Sequence, residues 1–268
     1  MDNGFSFASV ILSYLLVGGG MFTATLVAQQ VKLPSEMAIY GVLAAGAFVG
    51  GFLAARASRG QTILEPAIGA VAVVATIVGL AATTPIGKLI WALAQDQTMK
   101  FVGTVGLTGI AGSVLGAFLS EKLFGSATQS SIPWLLYTAL AVFGACLLAT
   151  LFASIVVLGH PGTESGVNRS PDLGTAMLFG IGAGCLLAGL AVGASAWTRP
   201  LIAAFLGSGA GLAGFFTLIA RTHPVDKDTM IGFAMFAVGG AIVTLVGAGL
   251  GWAALGRRHA GVMTSARS

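Results

Sequence analysis

"TILEPAIGAVAVVATIVGLAAT", residues 62–83, opens on a carboxylate and a proline and then runs to Thr83 without another ionisable side chain. A continuous apolar run near the roughly 20 residues that a helix needs to cross hydrocarbon predicts a transmembrane helix. A barrel strand would be shorter and would alternate polar with apolar positions. Pro66 suits a first helical turn, where its missing N–H leaves no bond unmade. Glu65 beside it meets the positive end of the helix dipole.

The rest of the chain is written in the same style. Of 268 residues, 56% are hydrophobic and only 8% charged, with a mean hydropathy of +0.94, whereas soluble domains carry about 25% charged residues. So little charge cannot hydrate a surface, and most side chains must face lipid or one another. Apolar runs at about 6–29, 38–55, 65–83, 101–119, 132–158, 174–196, 200–220 and 229–255 predict eight spans. The expected fold is all-α, a polytopic transmembrane helical bundle. Between the third and fourth spans, Ile86, Leu89, Ile90 and Leu93 share one face. That pattern predicts a short interfacial helix over residues 84–100 with Trp91 near the headgroups. A kinked extension of the third span past Pro85 is the alternative.

A second phrase echoes the first. "AWTRPLIAA", residues 196–204, again sets a charge before a proline, but the charge is Arg199 in place of Glu65. Shifting the chain by 134 residues pairs Gly46 with Gly180, Gly50 with Gly184, Leu53 with Leu187 and Pro66 with Pro200. A shift of 125 pairs "VGGGMFTATLVAQQV" from Val17 with "VFGACLLATLFASIV" from Val142. These identities predict two tandem four-helix repeats, residues 1–125 and 132–256, followed by a polar cytoplasmic tail, 257–268. An even number of spans per repeat makes the two parallel, related by an axis along the membrane normal. Such an axis could set Glu65 against Arg199 as a cross-repeat charge pair. The competing reading anchors Arg199 on lipid phosphates, and compositional likeness of glycine- and alanine-rich helices competes with the repeat itself.

The 40 glycines exceed the usual share of roughly 7% about twofold. Helices in lipid gain little from the hydrophobic effect, so close backbone approach supplies much of their attraction. Gly46 with Gly50 and Gly180 with Gly184 stand at small-xxx-small spacing and are expected where helices touch. The run "GGFLAARAS" from Gly50 resembles spans of small uncharacterised bacterial four-helix membrane proteins, which carry no activity over to this chain.

With eight spans both termini share a side. Seven of the 13 Lys and Arg residues fall there, Arg257 and Arg258 directly after the last span, and six fall opposite. Both termini are therefore expected in the cytoplasm. Asp2 precedes the first apolar run without a basic n-region, so that run reads as a retained span rather than a signal peptide. The absence of large loops fits a prokaryotic cytoplasmic membrane.

Chemistry is sparse. Past the helix mouths the spans hold no Asp, Glu, Lys, Arg or His, which weighs against a proton relay. Thr25, Gln29, Thr150 and Ser154 are the candidates for lining a ligand path, Thr25 and Thr150 occupying equivalent repeat positions, although hydroxyls in helices commonly bond back to their own backbone. His160, His223 and His259 fall in loops or the tail without metal-ligand spacing. Cys146 and Cys185 lie in spans and read as small apolar packing residues. No GxSxG or phosphate-loop context is present. The expectation is a protein with no catalysis, metal or cofactor, and the scattered cations predict no nucleic acid partner. Its partners are the lipid bilayer and either a second copy or another membrane protein. A small polytopic transporter or channel is the first functional reading. The alternative is a non-catalytic structural or assembly subunit that packs through glycine-rich helix faces.

Overall fold

The computed structural model describes residues 5–31, 35–58, 63–124, 134–158, 173–195, 200–222 and 226–256. Among them the chain forms nine α-helices and no strand: α1 (Phe7–Val31), α2 (Glu36–Ala57), α3 (Leu64–Thr83), α4 (Pro85–Leu93), α5 (Gln95–Phe124), α6 (Trp134–Leu158), α7 (Leu173–Ser195), α8 (Pro200–Thr222) and α9 (Lys227–Gly251). The last continues into a π-helical turn, Trp252–Gly256. Seven of these helices are long and apolar enough to cross a bilayer, and the chain is an all-α polytopic membrane bundle. α3 has a shorter apolar stretch than those seven, Leu64–Leu80, at the short end of what a span requires.

Residues 84–100 resolve into two pieces. Thr84 is extended, with φ −82° and ψ 145°, the conformation that a following proline imposes on its predecessor. The third helix therefore stops, and α4 starts afresh as a separate amphipathic helix. Gln95–Lys100 belongs to α5, which is 30 residues long and overruns the expected fourth span at both ends. Asp96 in its first turn and Lys122 in its last both complement the helix dipole and favour the added turns.

Each half packs in the same order. α1 lies on α2 and α3, and α5 lies on the same two; α6 lies on α7 and α8, and α9 lies on those two. α1 joins the halves by packing on α6 and α7. Helices separated by one span run parallel as neighbours: Gly112 and Gly116 of α5 abut Ala44 and Phe48 of α2, and Gly207 and Gly211 of α8 abut Leu135 and Ala139 of α6. The buried core follows this frame. One cluster joins Leu12, Leu16, Tyr137, Val142, Val192 and Phe215, and another joins Val17, Met21, Leu43, Val73 and Val105.

Glycine permits the crossings, because an added methyl would strike the neighbouring helix. At Gly50 it would lie 2.6 Å from Val17 Cα, at Gly46 2.7 Å from Ala24 Cβ, at Gly184 2.9 Å from Ala145 Cβ and at Gly180 3.1 Å from Ala149 Cβ. Ala24 and Ala149 differ by the same 125 positions that pair the first and fifth predicted spans. The register of α9 departs from that of α5 by one turn. Gly116 abuts Phe48, whereas Gly247, 131 positions on, abuts Leu186, the counterpart of Phe52 under the shift of 134.

Candidate functional site

The hydroxyls expected along a ligand path turn back on their own helices. Thr25 Oγ1 donates to the Met21 carbonyl at 3.0 Å, and Thr150 Oγ1 donates to the Cys146 carbonyl at 2.8 Å. Both protons are held within one helix, the usual arrangement for threonine in an apolar setting. Gln29 lies in the last turns of α1 and Ser154 near the end of α6, but their side chains are outside the described residues.

Polar groups do converge where α1 and α3 begin and α2 ends. Glu65 is completely buried. Its Oε1 accepts from the backbone N–H of Ser6 at 2.7 Å, and its Oε2 accepts from the Ser58 hydroxyl. A buried carboxylate is costly unless it gains such donors. Ile63, the N-cap of α3, offers no side-chain cap, so Glu65 also supplies the negative charge that this helix start favours. At the next residue, Ser113 donates to the Pro66 carbonyl at 3.1 Å, tying α5 to the first turn of α3. At the adjoining ends of α2 and α5, the Arg56 guanidinium carbon stands 4.2 Å from the centroid of the Phe124 ring, a cation–π contact.

The sequence placed Glu65 at a helix mouth, and the fold encloses that mouth. Ser9 and Ser13 of α1 are both buried, and Gly69 lets α1 approach so closely that an added methyl would lie 2.6 Å from Ser13 Cβ. Arg199 is outside the described residues, so its relation to Glu65 is not placed.

Cys146 and Cys185 are buried free thiols. Both belong to one core cluster with Val142, Leu212 and Phe215. Among the described residues no group of three or more His, Cys, Asp or Glu side chains is positioned to hold a metal ion.

A groove of about 780 Å³ opens between α7, α8 and α9. Met177, Ile181, Phe216, Phe233, Phe236 and Val243 give it apolar walls, and the Phe216 and Phe233 rings stack at 4.5 Å with 15° between planes. Gly182, Gly232 and Gly239 line it with open space where a Cβ would project. A methyl on Gly240, also in its lining, would lie 2.6 Å from Leu212 Cδ1 and 3.4 Å from Cys185 Sγ. Near the start of α9, Asp226 Oδ1 accepts from Thr229 N at 2.8 Å as the helix N-cap. The Thr229 side chain and then its backbone hold the Asp226 carboxyl below its ordinary pKa.

A smaller trough of about 400 Å³ runs between α1, α2 and α6, lined by Gly19, Gly20, Ala24, Gly46, Gly50 and Phe143. Neither opening was evident from composition. The signal for the larger one was positional: Gly232, Phe236, Gly239 and Val243 recur at helical spacing, so that one face of α9 alternates bulk with gaps. In comparison with known proteins, the chain matches no family model, no curated protein and no solved structure.

Proposed function

We propose that the chain is a small polytopic carrier for apolar molecules drawn from the bilayer, built as two parallel four-helix units. The observation that supports this reading is the groove between α7, α8 and α9. Its volume of about 780 Å³ lies in the range of roughly 300–1,000 Å³ typical of small-molecule sites. Its aromatic and sulfur-bearing walls suit a hydrophobic solute. The test is binding of a neutral fluorescent hydrophobe, N-phenyl-1-naphthylamine, to the full chain in nanodiscs. Binding above that of empty discs should be saturable, and Gly182→Leu and Gly239→Leu should remove it. Equal fluorescence with and without the protein would discard the carrier.

A second reading, a non-catalytic assembly subunit of a membrane complex, draws on the trough between α1, α2 and α6. Its small-residue lining would admit a partner's helix closely. Ala45, which is exposed on its wall, is the position to fill. Ala45→Phe should release a co-purifying membrane protein in mild detergent without lowering stability. Retention of that partner would count against the trough as its seat.

A further inference from the structure

We propose that the molecules held between α7, α8 and α9 are lipophilic cations, with the aromatic body in the groove and the positive charge beside Asp228. The proposal rests on the carrier reading above and adds the charge of its substrate. The argument is the placement of charge around the groove. On a helix of about 3.6 residues per turn, Asp228 falls within the arc that carries Gly232, Met235, Phe236, Gly239 and Val243, all groove-lining residues. Lys227, one position earlier, falls outside that arc. On α8 the lining positions are Phe215, Phe216 and Ile219, and Arg221 points to the opposite side of the same helix.

Among the described residues at this end of the bundle, Asp228, Lys227 and Arg221 are all exposed, and of these three the Asp228 carboxylate shares the face of the groove. Asp226 is engaged in capping, its Oδ1 taken by Thr229 N, which leaves Asp228 as the acidic group of that helix turn on the groove side. Phenylalanine rings add to the preference. Their faces carry negative quadrupole potential and attract cations, and Phe215, Phe216, Phe233 and Phe236 all border the site. A planar or globular aromatic cation would lie beside aromatic rings along its body and a carboxylate at its charged end. An anion of the same shape would meet both with the wrong sign.

Tetraphenylphosphonium and tetraphenylborate have nearly the same shape and opposite charge, and they make the test. Binding of each to the full chain in nanodiscs is measured by equilibrium dialysis against empty discs, together with N-phenyl-1-naphthylamine. Tetraphenylphosphonium should bind saturably and displace the neutral probe, and tetraphenylborate should not displace it. Asp228→Asn should weaken tetraphenylphosphonium by about two- to fivefold, the range for an exposed charge partner, and leave the neutral probe unchanged. Gly239→Leu should abolish both, and its added side chain enters open space, so the fold is preserved. If the neutral probe binds and is lost in Gly239→Leu, but tetraphenylborate competes as well as tetraphenylphosphonium or Asp228→Asn changes nothing, the cation assignment fails and the carrier stands. If neither the neutral probe nor the cation binds, both fail.

Discussion

Gly19 of α1 and Gly144 of α6 meet backbone to backbone, and 125 residues separate them. That is the separation at which the two segments resemble each other in sequence, so a tandem repeat would make this a contact between a position and its own counterpart. A methyl on Gly19 would lie 2.6 Å from Gly144 Cα. In a pair of parallel units, self-equivalent residues touch only where the relating axis passes.

Replacing either glycine by alanine should therefore loosen the junction between halves. Gly19→Ala and Gly144→Ala are each expected to cost about 1–3 kcal/mol, as overpacking does. Thermal unfolding in detergent checks this against Gly41→Ala and Gly103→Ala, where a Cβ enters open space. Equal melting of all four variants would show that the crossing is not a tight contact.

The same comparison separates contact glycines from groove glycines. Gly50→Leu and Gly184→Leu place a side chain against Val17 and Ala145 and should lower stability sharply, whereas Gly182→Leu and Gly239→Leu should not. Limited proteolysis and melting of purified variants provide the readout. A reversal of that order would refute the assignment of glycines to crossings.

Glu65 should be intolerant of neutralisation. Glu65→Gln retains the size of the side chain but weakens two donated hydrogen bonds, and bonds to a charged group are worth roughly 1.5–3 kcal/mol each. Ser58→Ala should remove part of the same stability and show non-additivity with Glu65→Gln, as neighbours in one network do. Independent, additive losses would indicate that the Ser58 contact contributes nothing. Glu65→Arg with Arg199→Glu adds a separate question: restoration in the double exchange would mark a charge pair, and its failure would leave Arg199 as a surface anchor.

The start of α9 should respond to acid. Hydrogen bonds from Thr229 depress the Asp226 carboxyl, so folding binds fewer protons there than unfolding does. The stabilisation is complete above the ordinary carboxyl pKa and is lost as pH falls through the depressed folded value. With the intrinsic pH dependence of exchange divided out, amide protection at Thr229 and Met230 should fall on acidification, and Asp226→Ala should leave it low at every pH. An unchanged pH profile in Asp226→Ala would remove the cap from the explanation.

Topology is open to direct measurement. Reporters after Ser268 and within residues 56–61 should register cytoplasm, and one within residues 160–171 should register the other side. A cytoplasmic signal from the 160–171 segment would overturn the expected orientation or the number of crossings.

The membrane-spanning character was legible because it depends on summed hydrophobicity, which no tertiary contact alters. Helix limits were less so. Gln95–Lys100 reads as part of a short interfacial helix over residues 84–100, yet it forms the first turns of α5, since a helix satisfies its own backbone and continues through the interface. The burial of Glu65 was hidden for a different reason: it depends on Ser6 and Ser58 arriving from other helices. The groove was equally hidden, since Phe216 and Phe233 stack across a gap that no single helix defines.

The parallel pairing of α1 with α3, α2 with α5, α6 with α8 and α7 with α9 has a consequence in time. No helix in these pairs can meet its partner until an intervening segment has been made. α1, which joins the two halves, is synthesised first, but α6 is finished only at Leu158. At about 5–20 residues per second, the wait from Val31 to Leu158 is on the order of ten seconds. Throughout that interval the Gly19 side of α1 waits for Gly144 of α6, whereas the Gly20 side meets Gly46 as soon as α2 is made.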